Sequence, residues 1–180
     1  MKTPNHDSEM PPLRILVVED EGLIALNLEL ILRRFGCEII GPVSRVDDIV
    51  STARAHRPDG AFLDVNLRGR KVFDVLPEMI GLGVPCVLSS GYDDPMLFPS
   101  AYRDMPRIAK PFDEGELRRA CLEFGALAEA RQVSVAEARA GQPGEGQGAE
   151  AVAFPRRRRF VPAPPLAEPD EQPRAAAGGR

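Results

Sequence analysis

The sequence has no tryptophan and few aromatic residues of any kind, 6% of its 180 residues. A surface that stacks the bases of a single strand needs several exposed rings, so that class of nucleic-acid binder is not expected. Cysteine is scarce as well. Cys37, Cys86 and Cys121 stand far apart with no CxxC spacing. Zinc ribbons and disulfide-stapled secreted scaffolds are thereby disfavoured, and reduced, buried thiols in a cytoplasm are the expectation. No apolar run approaches the roughly 18 residues of a membrane-spanning helix. Residues 1–12 contain no apolar segment of the kind a signal peptide requires, and they read as a flexible arm. Charge of one sign is not in excess either. With 23 Lys and Arg against 27 Asp and Glu, the formal net charge is −4, too mild to select a polyanionic partner.

What is present is alternation. Residues 13–18 are almost all apolar and rich in β-branched side chains, as a central parallel strand should be, and they stop at Glu19, Asp20 and Glu21. Leu23, Leu26, Leu30, Ile31 and Phe35 then recur at helical spacing before Gly36. Residues 37–43 read as a second strand. A second helix through Asp47, Ile49 and Ala53 closes before Pro58. Residues 61–63 form a short apolar run that ends on Asp64. Val72, Val75, Leu76, Met79 and Ile80 predict a third helix, kinked or shortened by Pro77. Residues 85–91 make a fourth strand. The stretch after it holds Pro95 and Pro99, so a fourth helix is short and begins near Met96. Residues 107–109 give a brief fifth strand. Leu117, Ala120, Cys121, Phe124 and Leu127 give a last amphipathic helix, opened by Asp113 and Glu114 at its positive dipole end.

Five strand–helix alternations predict an α/β domain, doubly wound around a five-stranded parallel sheet. The domain spans residues 13–130, with 131–140 available to extend the last helix. Residues 131–180 otherwise form a Pro-, Gly-, Ala- and Arg-rich tail, expected to be largely disordered because its scattered apolar residues cannot offset the entropy of ordering. Arg156, Arg157, Arg158 and Arg159 within it read first as a solubilising run, with nucleic-acid contact as the rival.

Open α/β sheets bind their ligands at the carboxyl ends of the strands. There this chain places Glu19, Asp20 and Glu21, then Asp64 with Asn66 two residues on, then Ser90, then Lys110. Alone, Asp64 is better explained by a turn cap. Together, clustered carboxylates need a positive charge to compensate them, and an all-oxygen donor set suits Mg2+. A cation and a lysine beside a carboxylate suit phosphoryl transfer, in which charge builds on oxygens. The carboxylate itself can be the nucleophile.

The stretches Val17-Val18-Glu19-Asp20-Glu21, Leu63-Asp64-Val65-Asn66-Leu67, Leu88-Ser89-Ser90-Gly91-Tyr92 and Ala109-Lys110-Pro111-Phe112, in that order on successive strand ends, resemble the receiver domain of two-component response regulators. The resemblance covers about two thirds of the chain. It implies a flavodoxin-like (βα)5 fold with strand order 2-1-3-4-5. It implies that Asp64 accepts a phosphoryl group from a histidine kinase or histidine phosphotransfer protein. Glu19, Asp20, Asp64 and the backbone carbonyl of Asn66 would hold Mg2+, Ser90 would be the switch hydroxyl, and Lys110 would pair with the phosphoryl group. A cis Lys110–Pro111 bond is also expected. The resemblance further implies a cytoplasmic signalling protein without enzymatic turnover. It would act through an unidentified protein partner, as a phosphate sink, or as a homodimer through the face of the fourth helix, fifth strand and fifth helix.

There are three departures from the family pattern. Glu19 stands where a second Asp is frequent and Ser90 where Thr is more usual, and both keep the chemistry. The third bears on the switch. Arg107 stands three residues before the lysine, where the family often has an aromatic switch, which leaves Tyr92 as a substitute. Rival readings are a degenerate receiver scaffold, nucleic-acid binding through the arginine run, and a Toprim-type metal enzyme. The last gives Ser90 and Lys110 no role.

Overall fold

The computed structural model describes residues 12–91 and 98–140, with side chains to residue 135. Along the chain follow β1 (Arg14–Val18), α1 (Gly22–Arg34), β2 (Glu38–Val43), α2 (Val46–His56), β3 (Gly60–Asp64), β4 (Asn66–Leu67), β5 (Arg70–Lys71), α3 (Leu76–Gly81), β6 (Cys86–Ser90), β7 (Arg107–Ala109) and α4 (Glu114–Ala140), with 3-10 turns at Val72–Val75 and Ser100–Tyr102. Five strands form one parallel sheet in the spatial order β2-β1-β3-β6-β7. Counted as the first to fifth strands of that sheet, this is the expected 2-1-3-4-5 order.

Alternate residues of each central strand feed two core layers, because side chains along a strand point to opposite faces. Ile15, Val17, Phe62 and Val87 pack with Leu28 and Phe124 on one face. Leu16, Val18, Leu63 and Leu88 pack with Ile49 and Met79 on the other. β1 and β3 are therefore apolar almost without interruption, as strands covered on both faces must be.

α1 turns a different face to the sheet than its leucines suggest. Ala25, Leu28, Ile31 and Leu32 are buried, whereas Leu23, Leu26 and Leu30 are exposed, Leu23 by 84%. The helix carries apolar residues on two stripes. The stripe of Ala25, Leu28 and Leu32 faces the sheet and leaves Leu23, Leu26 and Leu30 to solvent. In α3, Pro77 lies in the first turn, where a missing N–H is harmless, so the helix starts there and is not kinked. The antiparallel β4–β5 hairpin was not expected. Its signal is Arg68-Gly69, a two-residue turn with glycine in second place.

α4 runs 27 residues, past the expected boundary at residue 130 and through residues 131–140. The Arg131 guanidinium anchors it by donating to the carbonyls of Gly83 (2.8 Å) and Asp59 (3.2 Å). The three cysteines are buried and unbridged, as expected. Burial pushes the Cys86 thiol up to about 12. Lys110–Pro111 is cis, and so is Gly41–Pro42. Among the described residues no helix is long and apolar enough to cross a membrane. The arm at residues 1–11, Tyr92 and the expected helix start near Met96, and the tail at 141–180 lie outside the described residues. Within them, the only helical structure between β6 and β7 is the turn at Ser100–Tyr102.

Candidate functional site

The carboxyl ends of β1, β3, β6 and β7 converge at one edge of the sheet. β1 delivers Glu19 and Asp20. Glu19 lies just past the strand end, and its N–H still donates to the Val43 carbonyl of β2 (2.9 Å). That bond fixes the backbone as the side chain turns inward, where it is only 2% exposed. One Glu19 oxygen accepts the N–H of Glu21 (3.2 Å). Asp64 closes β3 and is 7% exposed. Its Oδ1 accepts the Asn66 N–H at 3.3 Å.

Lys110 follows β7 and lies between the two buried acids. Its Nζ is 2.6 Å from Glu19 Oε2 and 3.0 Å from Asp64 Oδ2. Ser90 ends β6, opposite Ala109, and its carbonyl accepts the Lys110 N–H (3.0 Å). One short backbone link therefore sets the register of the lysine against the serine. The cis bond after Lys110 belongs to the same turn.

Burial raises the Glu19 pKa above its ordinary value of 4.5, against the opposing hydrogen bond from Lys110. Burial also pulls the Lys110 pKa down, but its bonds to Glu19 and Asp64 outweigh that and hold it above the usual lysine value. Both effects follow from taking charges out of water next to a partner.

Glu19, Asp20 and Asp64 each present an oxygen within 4.8 Å of the others. Three carboxylates against one ammonium leave a net charge of −2 in a site of oxygen donors. That donor set fits a hard divalent cation such as Mg2+, which commonly takes one or two carboxylates and keeps several waters. Glu21 is exposed at the start of α1 and stands outside this group. Asn66 is exposed on β4, placed by its N–H bond to Asp64.

Sequence reasoning missed one participant. The Arg68 N–H donates to Asp20 Oδ2 at 3.0 Å, reaching across 48 positions from the hairpin tip. The Arg68-Gly69 turn was the only sign of it in the sequence.

No family model matches the chain. It is 32% identical over 122 residues to the transcriptional regulatory protein PdtaR of Mycobacterium tuberculosis, a match covering 65% of this chain and 59% of PdtaR. The chain thus spans about three fifths of the length of that curated relative. The solution structure of SdrG from Sphingomonas melonis Fr1 superimposes with a TM-score of 0.56 at 33% identity, covering 64% of this chain and 98% of SdrG. The BeF3-activated conformation of SdrG from Pseudomonas melonis Fr1 gives 0.54 at 34% identity, covering 63% of this chain and 97% of that one.

Proposed function

The chain belongs to the receiver family of two-component response regulators, and from that membership we propose that it is a phosphorylation-dependent switch with Asp64 as phosphoacceptor. The observation that carries the reading is Lys110, whose ammonium bridges Glu19 and Asp64 inside a cluster of three acids.

In the proposed transfer, an Asp64 carboxylate oxygen attacks the phosphorus of a phosphohistidine. A P–O bond forms as the P–N bond breaks, the imidazole leaves with the electron pair, and an acyl phosphate results. Lys110 supports the charge on the phosphoryl oxygens, as fixed cations do in phosphoryl transfer. Glu19, Asp20, Asp64 and the Asn66 carbonyl would hold Mg2+, which when bound neutralises charge on the same oxygens. The Ser90 hydroxyl, at the end of the adjacent strand, reports the new group by turning toward it. Attack of water on the phosphorus later returns the free carboxylate and inorganic phosphate. This is self-modification and its reversal, without turnover of a separate substrate.

The phosphodonor is a histidine kinase or histidine phosphotransfer protein. α1 begins directly after the acidic cluster, and its exposed Leu23, Leu26 and Leu30 share one face at helical spacing. An apolar stripe beside the phosphoacceptor suits a donor that presents helices. The output is a change in affinity for a downstream protein, in the cytoplasm.

The test is incubation with Mg2+ and acetyl phosphate, read by intact mass, then repeated with a phosphorylated kinase. A Mg2+-dependent single adduct, absent from Asp64→Asn, is expected. Leu26→Lys is expected to label normally with acetyl phosphate but more slowly from the kinase. Absence of any adduct with both donors would sink the reading.

A further inference from the structure

The β4–β5 hairpin starts two residues after Asp64 and reaches back over the site. Its tip, Arg68-Gly69, has φ angles of 51° and 84°, the left-handed pair of a tight hairpin turn. Glycine takes that conformation freely, whereas arginine does so at a cost. Something must hold Arg68 there, and three braces are present. Leu67 is buried, 2% exposed, in the core. The Arg70 guanidinium grips both oxygens of Asp47 on α2, at 2.9 and 2.8 Å. At the tip itself, the Arg68 N–H donates to Asp20 Oδ2 at 3.0 Å.

Metal-binding carboxylates are commonly oriented by a hydrogen bond from the surrounding protein, and loss of such a partner weakens metal binding by about 10- to 100-fold. Asp20 is the least enclosed of the three clustered acids. Its carboxylate is therefore the one with most rotational freedom to lose. With Oδ2 committed to the amide, Oδ1 is the oxygen offered to a cation.

We infer that the Arg68 main-chain amide is a positioning group for Asp20, and that the braced β4–β5 hairpin thereby sets the affinity of the site for a divalent cation. The inference rests on the reading of Glu19, Asp20 and Asp64 as a cation site. It is independent of the Arg68 side chain, because any residue with an N–H at this position could serve. Arg68→Gly keeps the amide and relieves the left-handed backbone, so it binds the cation as well as the parent protein or better. Arg68→Pro removes the donor and cannot adopt a positive φ. Asp47→Ala releases Arg70, next to the hairpin tip, without touching the amide or the acids.

The experiment is a Mg2+ titration of the full chain followed by amide chemical shifts, with circular dichroism and thermal midpoint recorded for each variant. The Arg68 amide of the parent protein is expected to be protected from solvent exchange before and after Mg2+. Affinity is expected to fall about tenfold in Arg68→Pro, to fall less in Asp47→Ala, and to hold or rise in Arg68→Gly. Affinities of Arg68→Pro and Asp47→Ala within twofold of the parent would overturn the inference while leaving the cation site standing. So would a loss in Arg68→Gly as large as in Arg68→Pro. Absence of Mg2+ binding by the parent protein would overturn the cation-site reading itself, and the inference with it. If Arg68→Pro fails to fold, the comparison of Asp47→Ala with Arg68→Gly decides alone.

Discussion

The guanidinium of Arg107 lies over the ring of Phe98, 4.7 Å from its centroid. Phe98 is 3% exposed and meets the edge of Phe73, whose ring stacks on Tyr102. Phe73 sits just beyond the hairpin that follows Asp64, so this stack joins the segment after β3 to the edge strand β7. Arg107 occupies the position where a receiver often carries an aromatic side chain, and here its flat cationic group takes the place of a ring. One of its nitrogens, Nη1, is buried without an acceptor among the described residues.

Two opposing effects therefore meet at Arg107. Its cation–π contact contributes about 0.5–2 kcal/mol, while a buried N–H without an acceptor costs about 1–3 kcal/mol. Arg107→Met, which keeps an apolar body on the ring, is expected to change stability by less than about 1 kcal/mol. Phe98→Ala, which opens a cavity beside Arg107 and Phe73, is expected to cost about 3–5 kcal/mol. Urea unfolding of both variants checks the order. A larger loss in Arg107→Met would mean that the arginine, and not the ring, holds this region.

Lys110 separates two buried carboxylates, and its removal leaves them facing each other. Breaking a buried ion pair from one side typically costs about 3–5 kcal/mol. Lys110→Met is expected to lose that much near neutral pH. A second change, Asp64→Asn, is expected to restore much of the loss, because it removes one of the two like charges. A double-mutant cycle by thermal or urea unfolding measures the coupling. Additive losses would show that the lysine is not coupled to Asp64.

Glu19 bears on the pH dependence. Burial holds its folded pKa above 4.5, so the native state binds this proton more tightly than the unfolded chain. The corresponding stability is fully present below about pH 4.5 and is lost as pH rises through the raised value. Glu19→Gln lacks that titration. It is expected to be the more stable protein at pH 7, by an amount on the order of 1 kcal/mol, with the advantage vanishing as pH falls below about 4.5. The same variant is expected to bind Mg2+ more weakly. An advantage that is constant with pH would refute the assignment to this carboxylate.

The parallel sheet and the strand-end acids were legible because both rest on chain-local signals, whereas the strand order came only from the family resemblance. β1 and β3 are uninterrupted apolar runs that stop on charged residues, and Lys110 precedes a proline at the end of a short third run. What escaped depends on contacts distant in sequence. The buried face of α1 could not be chosen between two apolar stripes, because both carry leucines and only packing against the sheet selects Ala25, Leu28 and Leu32. The bond from Arg68 to Asp20 spans 48 positions and uses a backbone group that every residue except proline has. The stacking of Arg107 on Phe98 reverses the ordinary expectation that an arginine in a strand is a surface charge.

Gly60 opens β3, and its lack of a side chain is a packing requirement. A Cβ there would stand 2.2 Å from Cδ2 of Phe124, the ring of α4 that meets Phe62 edge-on at a centroid distance of 5.5 Å. Both phenylalanines are buried, 3% exposed or less, so a displaced ring must press on the core around it. Gly60→Ala is expected to cost about 1–3 kcal/mol by overpacking, although alanine is otherwise the better strand residue. Phe124→Leu alone leaves a gap over Gly60 and destabilises as well. The two together are expected to cost less than the sum of the single changes, because the added methyl group enters the space the ring leaves. Unfolding free energies of the three variants decide it. Strict additivity would mean that β3 shifts away from α4 to accept the methyl group, and that close packing at Phe124 does not fix the distance of this helix from the strand that carries Asp64.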